Sequence, residues 1–370
     1  MQFLFELLTA GLMGYLAFTN MLATNINAFL GTSLDDIETA EIGVSNETPA
    51  TLSRLPSEYE HPSFIPSVLL DSTAYQQAAV LSSVGTDFSP TSDPTEAIVN
   101  IYCTSITSRQ IRTTTGTGFF VDPSGVIMTN AHVAQFLLLE KTGVFGETDC
   151  VIRSGSPAAA HYKADLLYIP PAWVKANASL VDDKAPSGTG ERDYALLYVV
   201  SDMDNNPLED GITFPALALN TDLLPRSVTN STVVAAGYPA GSLLKGGTET
   251  ELLARSAETT ISELYTFDSN YADVFGMRGS IMGEQGASGG PVVAQDGRVI
   301  GMVTTRGDDA RDGEGSLRAI TISHINRTIS EETGFSLSSN LSGNIPYKAN
   351  IFTTTMAPFL TELLVAEIGN

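Results

Sequence analysis

Cysteine is scarce in this chain, with two residues in 370, Cys103 and Cys150. Two thiols cannot build the scaffold of a disulfide-rich domain, and neither lies in a CxxC pattern that would hold zinc. Basic residues are also few: 19 Lys and Arg stand against 42 Asp and Glu, for a net charge of −23. Nucleic-acid binding draws its affinity from clustered Lys and Arg, so DNA and RNA are excluded as main partners. Ahead of Arg109 the only Lys or Arg is Arg54, which leaves no polybasic patch there for an anionic membrane surface. There is no internal repeat. What the chain does have is length and apolar content, 43% hydrophobic over 370 residues, enough for a full core and roughly two or three domains.

The two ends differ from the middle. Residues 1–34 contain an uncharged stretch from Leu7 to Leu34, apolar enough in LLTAGLMGYLAFTNMLA for a membrane anchor or the hydrophobic part of an export signal. A buried or amphipathic helix on the globular body is the alternative. Residues 35–96 change to Ser, Thr, Pro and acidic residues, a composition that cannot bury enough apolar area to offset its ordering entropy. This reads as an acidic linker, with a short helix expected around Ser67–Ser83. Residues 335–370 form a tail ending in APFLTELLVAEIGN. Its Phe359, Leu360, Leu363 and Leu364 fall on one helical face, which predicts docking on the body or on a partner.

Between residues 97 and 334 the pattern is β. Short runs rich in β-branched residues (AIVNIYC, TGFFVD, GVIMTN, YALLYVV, STVVAAG, GPVVAQ, RVIGMVTT and LRAITIS) are punctuated by Gly, Pro, Asn and Asp. Asp122-Pro-Ser-Gly125 and Asp296-Gly297 are turn signals between paired strands. HINRTISEETG reads as a closing helix, with Ser323 as its N-cap and Gly334 as its stop. The expected class is mainly β, with many short strands closing into one or two barrels.

Three motifs carry chemistry. Thr129-Asn-Ala-His132 follows the strand GVIMT, where a histidine can present its imidazole to a cleft. A lone histidine is more often structural, but His61, His161 and His324 lack a comparable setting. Arg192-Asp193-Tyr-Ala-Leu-Leu sets an acid before an apolar strand, half-buried and in need of a hydrogen-bonding partner. Taken alone, a loop cap is the commoner explanation, and a His N–H would be a natural partner. Gly283-Glu-Gln-Gly-Ala-Ser288-Gly-Gly-Pro surrounds one serine with glycines, which allow a tight turn and close approach of a substrate. The N–H groups of Gly286 and Ser288 can then converge where a carbonyl oxygen becomes an oxyanion.

Taken in order, TNAHV, RDYALL and GASGGPVV resemble the trypsin-like serine peptidases, most closely the bacterial HtrA/Do-like branch. The resemblance implies two six-stranded antiparallel β-barrels with an active site in the crevice between them. It assigns His132 as general base and acid, Asp193 as its orienting partner and Ser288 as nucleophile. The backbone amides of Gly286 and Ser288 become the oxyanion hole. These roles suit the chemistry, because a serine hydroxyl needs an adjacent base and a carboxylate fixes that base's tautomer. No metal or cofactor is implied. An esterase with a GxSxG elbow would instead run Ser, Asp, His along the chain.

The chain also departs from that family. Ala287 stands where digestive trypsins carry an Asp that pairs with a newly cut N-terminus, so other contacts must order the oxyanion loop. After Ser288 the chain has no room for a PDZ domain beyond the closing strands and helix. The specificity pocket is expected between Met282 and Val303-Thr304-Thr305, without an acid at its base, which predicts small or medium apolar P1 residues. A Cys103–Cys150 bridge within the first barrel would contribute on the order of 3–4 kcal/mol and imply an oxidising compartment; two free buried thiols are the alternative. The expectation is therefore a serine endopeptidase acting on polypeptides through an acyl-enzyme in envelope or extracellular protein processing. It would be secreted, or anchored in the membrane by its N-terminal segment. A non-catalytic peptide-binding module on the same fold is the competing reading.

Overall fold

The computed structural model describes residues 88–368 apart from the short stretches 107–110, 141, 144–146, 183–189, 210, 245–250, 268 and 307–316. The apolar segment 1–34, the linker up to residue 87 and the helix expected around Ser67–Ser83 lie outside the described residues.

Twelve strands close into two antiparallel barrels of six. The first runs β1 (Ile98–Ile106), β2 (Ile111–Asp122), β3 (Val126–Thr129), β4 (Glu147–Ser154), β5 (Ala159–Tyr168) and β6 (Ala195–Asp202), joined in the order β1-β2-β3-β6-β5-β4. The second runs β7 (Thr232–Gly237), β8 (Arg255–Tyr265), β9 (Val274–Met277), β10 (Pro291–Val293), β11 (Val299–Arg306) and β12 (Leu317–Thr321), joined in the order β10-β11-β12-β9-β8-β7. Closure leaves no sheet edge open to further pairing. The β2–β3 turn forms as its residues predict: Gly125 takes φ +99° and returns its N–H to Asp122 at 3.1 Å. Strands β5, β8 and β9 carry weaker signals. His161, Lys163 and Asp165 interrupt β5, β8 has only Thr259 and Ile261 buried, and β9 is four residues long with Gly276 inside it.

Cys103 and Cys150 face each other in the β1–β4 register and are joined by a disulfide. The closing helix spans Ile322–Thr333. Its N-cap is Thr321 rather than Ser323: the Thr321 hydroxyl accepts the His324 N–H at 3.1 Å. Strand β12 runs through Thr321, so Ser323 already lies inside the first helical turn. Gly334 ends the helix at φ +78°.

Beyond it, a helix at Ile345–Ile351, a π-helical turn at Phe352–Met356 and a helix at Ala357–Ile368 follow, and Phe352, Met356, Leu360 and Leu364 enter the first barrel's hydrophobic core. Phe359 and Leu363 pack at its margin. Each fully buried leucine of this kind stabilises by about 1.5–3 kcal/mol, which makes the tail an integral layer of the body. By length and composition alone, Ile345–Ala366 is also long and apolar enough to cross a membrane. A cavity of about 320 Å³ lies between this layer and the first barrel, with Glu140 and Asp165 in its wall. Burial pushes the Glu140 carboxyl up to about 7, against the opposing pull of the Cys150 N–H it accepts at 2.8 Å.

Candidate active site

Strand β3 ends at Thr129, and the chain turns at once into a single helical turn, Ala131–Ala134, that carries His132. Small residues on either side let it sit against the barrel, leaving His132 almost fully buried. Its Nδ1 lies 2.8 Å from Asp193 Oδ2, and its backbone N–H donates to Oδ1 at 2.9 Å. One carboxylate therefore holds both the imidazole and the backbone that presents it.

Asp193 is fully buried at the apex of a tight turn before β6, where the Tyr194 N–H returns to the Arg192 carbonyl at 2.8 Å. Arg192 adopts φ +55°, a left-handed conformation that costs a non-glycine residue roughly 1 kcal/mol or more. The closing helix offsets that cost. Arg192 Nε pairs with Glu332 at 2.8 Å, and the Thr328 hydroxyl donates to that of Tyr194 at 3.1 Å. Burial pushes the Glu332 carboxyl up, against the hydrogen bond from Tyr168 and the charge of Arg192. The Asn130 amide donates to the Asp193 carbonyl at 2.8 Å. A buried carboxyl needs hydrogen-bonding partners. Asp193 has a third in the Thr304 hydroxyl, at 2.9 Å from Oδ2.

Thr304 comes from β11 of the second barrel, so this contact crosses the groove. Of the expected pocket wall, Thr304 donates its hydroxyl to Asp193. Met282 and Val303, the other expected wall residues, are buried in the core of the second barrel. Thr305 pairs with Arg318 beyond a bulge in β11.

Ser288 lies on the loop before β10. Gly286 takes φ +100° and Gly289 φ +88°. A Cβ on Gly289 would fall 1.9 Å from the Thr117 carbonyl oxygen, so no side chain fits there. Two hydrogen-bonded paths join this loop to His132. In one, Gly289 N–H donates to Val303, whose neighbour Thr304 holds Asp193. In the other, Thr117 N–H donates to the Ser288 carbonyl at 2.7 Å, and the Thr129 hydroxyl donates to the Thr117 carbonyl at 2.7 Å, three residues before His132. Among the described residues, the Ala287, Gly289 and Gly290 N–H groups have backbone acceptors, while those of Gly286 and Ser288 have none. Those two are the donors expected to face an oxyanion.

The motifs do not expose Thr117, nor the distant partner that Asn130 and Thr304 share in Asp193. A second histidine was also missed. Contrary to expectation, His324 does have a comparable setting: its Nδ1 lies 3.0 Å from the fully buried Asp273. The available signal was Asp273 placed just before the apolar strand Val274-Phe275, the same layout as Asp193 before Tyr194-Ala195.

No curated protein matches this chain. Among solved structures, the active form of the Rv3671c protease from Mycobacterium tuberculosis is 22% identical, with a TM-score of 0.39 over 69% of this chain and 96% of that one. Deg5 is 20% identical, with a TM-score of 0.41 over 65% and 90%. The family model described as a trypsin-like peptidase domain matches residues 116–302, half of the chain, from β2, ahead of His132, to β11, beyond Ser288. The two closed barrels agree with that match; the chain belongs to the trypsin-like peptidases and is a serine peptidase.

Proposed function

We propose that the enzyme is an endopeptidase that cleaves polypeptides through a Ser288–His132–Asp193 triad and an acyl-enzyme. With His132 Nδ1 engaged by Asp193, Nε2 is the ring nitrogen available to take the Ser288 proton. The serine oxygen attacks the scissile carbonyl, and the resulting oxyanion accepts from the Gly286 and Ser288 N–H groups. The imidazolium then protonates the leaving amine, and water repeats the cycle to release the acid. Asp193 fixes the tautomer and stabilises the imidazolium. The observation that carries this reading is the Asp193 carboxylate. It holds the imidazole, the backbone under it and a hydroxyl from the opposite barrel in one buried cluster.

Substrates are polypeptides, with a preference for small or medium apolar P1 residues. The Cys103–Cys150 bridge supports an oxidising location, so we place the enzyme on the periplasmic or extracellular face of a cell envelope, exported or anchored by its N-terminal segment. Casein digestion by the wild type beside Ser288→Ala tests the reaction, and sequencing the products tests the preference. Cleavage lost in the variant and falling after Val, Ala or Leu is expected. Full digestion by Ser288→Ala would refute the nucleophile, and dominant cleavage after Arg would refute the pocket.

A further inference from the structure

An oxyanion hole is made of peptide planes, and nothing in the side chains of Gly286 or Ala287 can hold those planes in place. Their orientation must come from what grips the carbonyls, because in a trans peptide the C=O and the following N–H point opposite ways. The Gln285 carbonyl accepts from Ala240 N–H at 2.7 Å, which turns the Gly286 N–H away from it. The Ala287 carbonyl accepts from Gly290 N–H at 3.0 Å, which does the same for the Ser288 N–H. Between these two planes lies that of Gly286 C=O, and its donor is the hydroxyl of Thr117, at 2.7 Å.

Thr117 is fully buried in β2 of the first barrel. Its hydroxyl cannot turn freely, since it accepts from Tyr238 N–H at 2.9 Å while donating to Gly286. Its backbone N–H holds the Ser288 carbonyl and its own carbonyl is held by Thr129. One residue thus touches the loop before and after Ala287, the strand end at Tyr238, and the strand that leads to His132.

We propose that Thr117 is the positioning residue of the oxyanion loop, fixing the Gly286 peptide from across the barrel interface. The loop then needs no newly cut terminus to order it. Resting on the triad reading above, this assigns Thr117 no contact with substrate; it acts on the transition state through where the Gly286 and Ser288 N–H groups point.

The test compares Thr117→Val, which keeps shape and removes the hydroxyl, with Thr117→Ser, which keeps the hydroxyl. Each is assayed on a fluorogenic peptide for kcat and KM and titrated with a peptide boronate, whose tetrahedral adduct uses the oxyanion donors. A donor displaced by about 1 Å can cost about 100-fold. Thr117→Val should therefore lose up to about 100-fold in kcat and boronate affinity with KM little changed, and Thr117→Ser should recover both. Wild-type kcat in folded Thr117→Val would overturn the proposal. So would a loss of rate that only tracks the fraction unfolded, measured by circular dichroism. Thr117→Ala is the second variant should Val not fold; failure of both to fold would show that the hydroxyl serves the whole fold and would also overturn it. Ser288→Ala, run alongside, separates the two levels: activity persisting there removes the triad reading itself, whereas an inactive Ser288→Ala with an unimpaired Thr117→Val removes only this inference.

Discussion

Each barrel carries a histidine bonded through Nδ1 to a fully buried aspartate, yet the proposed acid–base role falls to one pair alone. His132 and Asp193 belong to the first barrel, His324 and Asp273 to the second and its closing helix. Burial does not tell them apart, since the imidazoles are 5% and 6% exposed. What differs is the company each pair keeps. Asp273 also accepts from Phe267 N–H at 2.8 Å, Ser269 at 2.6 Å, Thr266 at 3.0 Å and the Arg327 guanidinium. The Phe267 ring packs on His324, and among the described residues the His324 Nε2 is buried without a partner. Among the described residues no Lys or Arg pairs with Asp193, and its third donor, Thr304, comes from beside the serine loop. A His–Asp pair becomes an acid–base device only where Nε2 faces a reacting group. Closed in and given a permanent cation, the same pair is a clamp, here tying the closing helix to the 266–273 loop.

The comparison is broken most easily by exchange of the two histidines. His132→Ala should lower kcat by up to about 10⁶-fold, the scale seen when a triad base is removed, while His324→Ala should leave the kcat of folded protein near wild type and lower the melting temperature. Equal losses of kcat in both would erase the distinction. Next come the aspartates. Asp193→Asn should keep the fold and lose about 10⁴-fold in kcat, because the amide favours the wrong tautomer. Asp273→Asn should instead cost about 3–5 kcal/mol in denaturant melts, since it leaves Arg327 and His324 without their counter-charge.

Acid sharpens the same contrast. Burial raises the Asp273 carboxyl, but His324, Ser269 and the Phe267 N–H outweigh it and hold the group well below the usual carboxylate range. A depressed folded value means stability that is full above the unfolded pKa near ~4 and lost as pH falls below it. Denaturant midpoints should drop below about pH 4 in the wild type and less in Asp273→Asn. The smallest effect is expected at Glu140, a carboxylate of the first barrel raised by burial to about 7. Here the sign reverses: the folded state holds its proton more tightly than the unfolded one, so its stability is full below about pH 4.5 and falls as pH rises through about 7. Glu140→Gln should match wild type at pH 4 and exceed it by about 3 kcal/mol at pH 8; a constant offset across that range would contradict the assignment.

Much of this was legible in residue order because it rests on local chemistry. Strands such as GVIMT and RVIGMVTT are dense in β-branched residues, the Asp122–Gly125 turn has its glycine where φ must be positive, and the serine is ringed by glycines that only close backbone contact requires. What escaped was either weakly patterned or long in range. Strand β8 alternates charge with Thr and Ser on its outer face, so its apolar period is too thin to read. Thr304 belongs to the run Val303-Thr304-Thr305, and nothing in that run says that its hydroxyl turns 111 residues back to Asp193. Thr117 sits in an ordinary strand motif, and its link to Gly286 exists only once the barrels meet. The Thr321 cap was displaced by two residues because the end of β12 decides where the helix can begin.

Labelling with a fluorophosphonate, followed by intact mass and peptide mapping, addresses the triad most directly. One label per chain, on Ser288, absent from Ser288→Ala and strongly slowed in His132→Ala, is the predicted result. A peptidase that takes the label on another serine, or that reacts at Ser288 as fast without His132 as with it, would contradict the account.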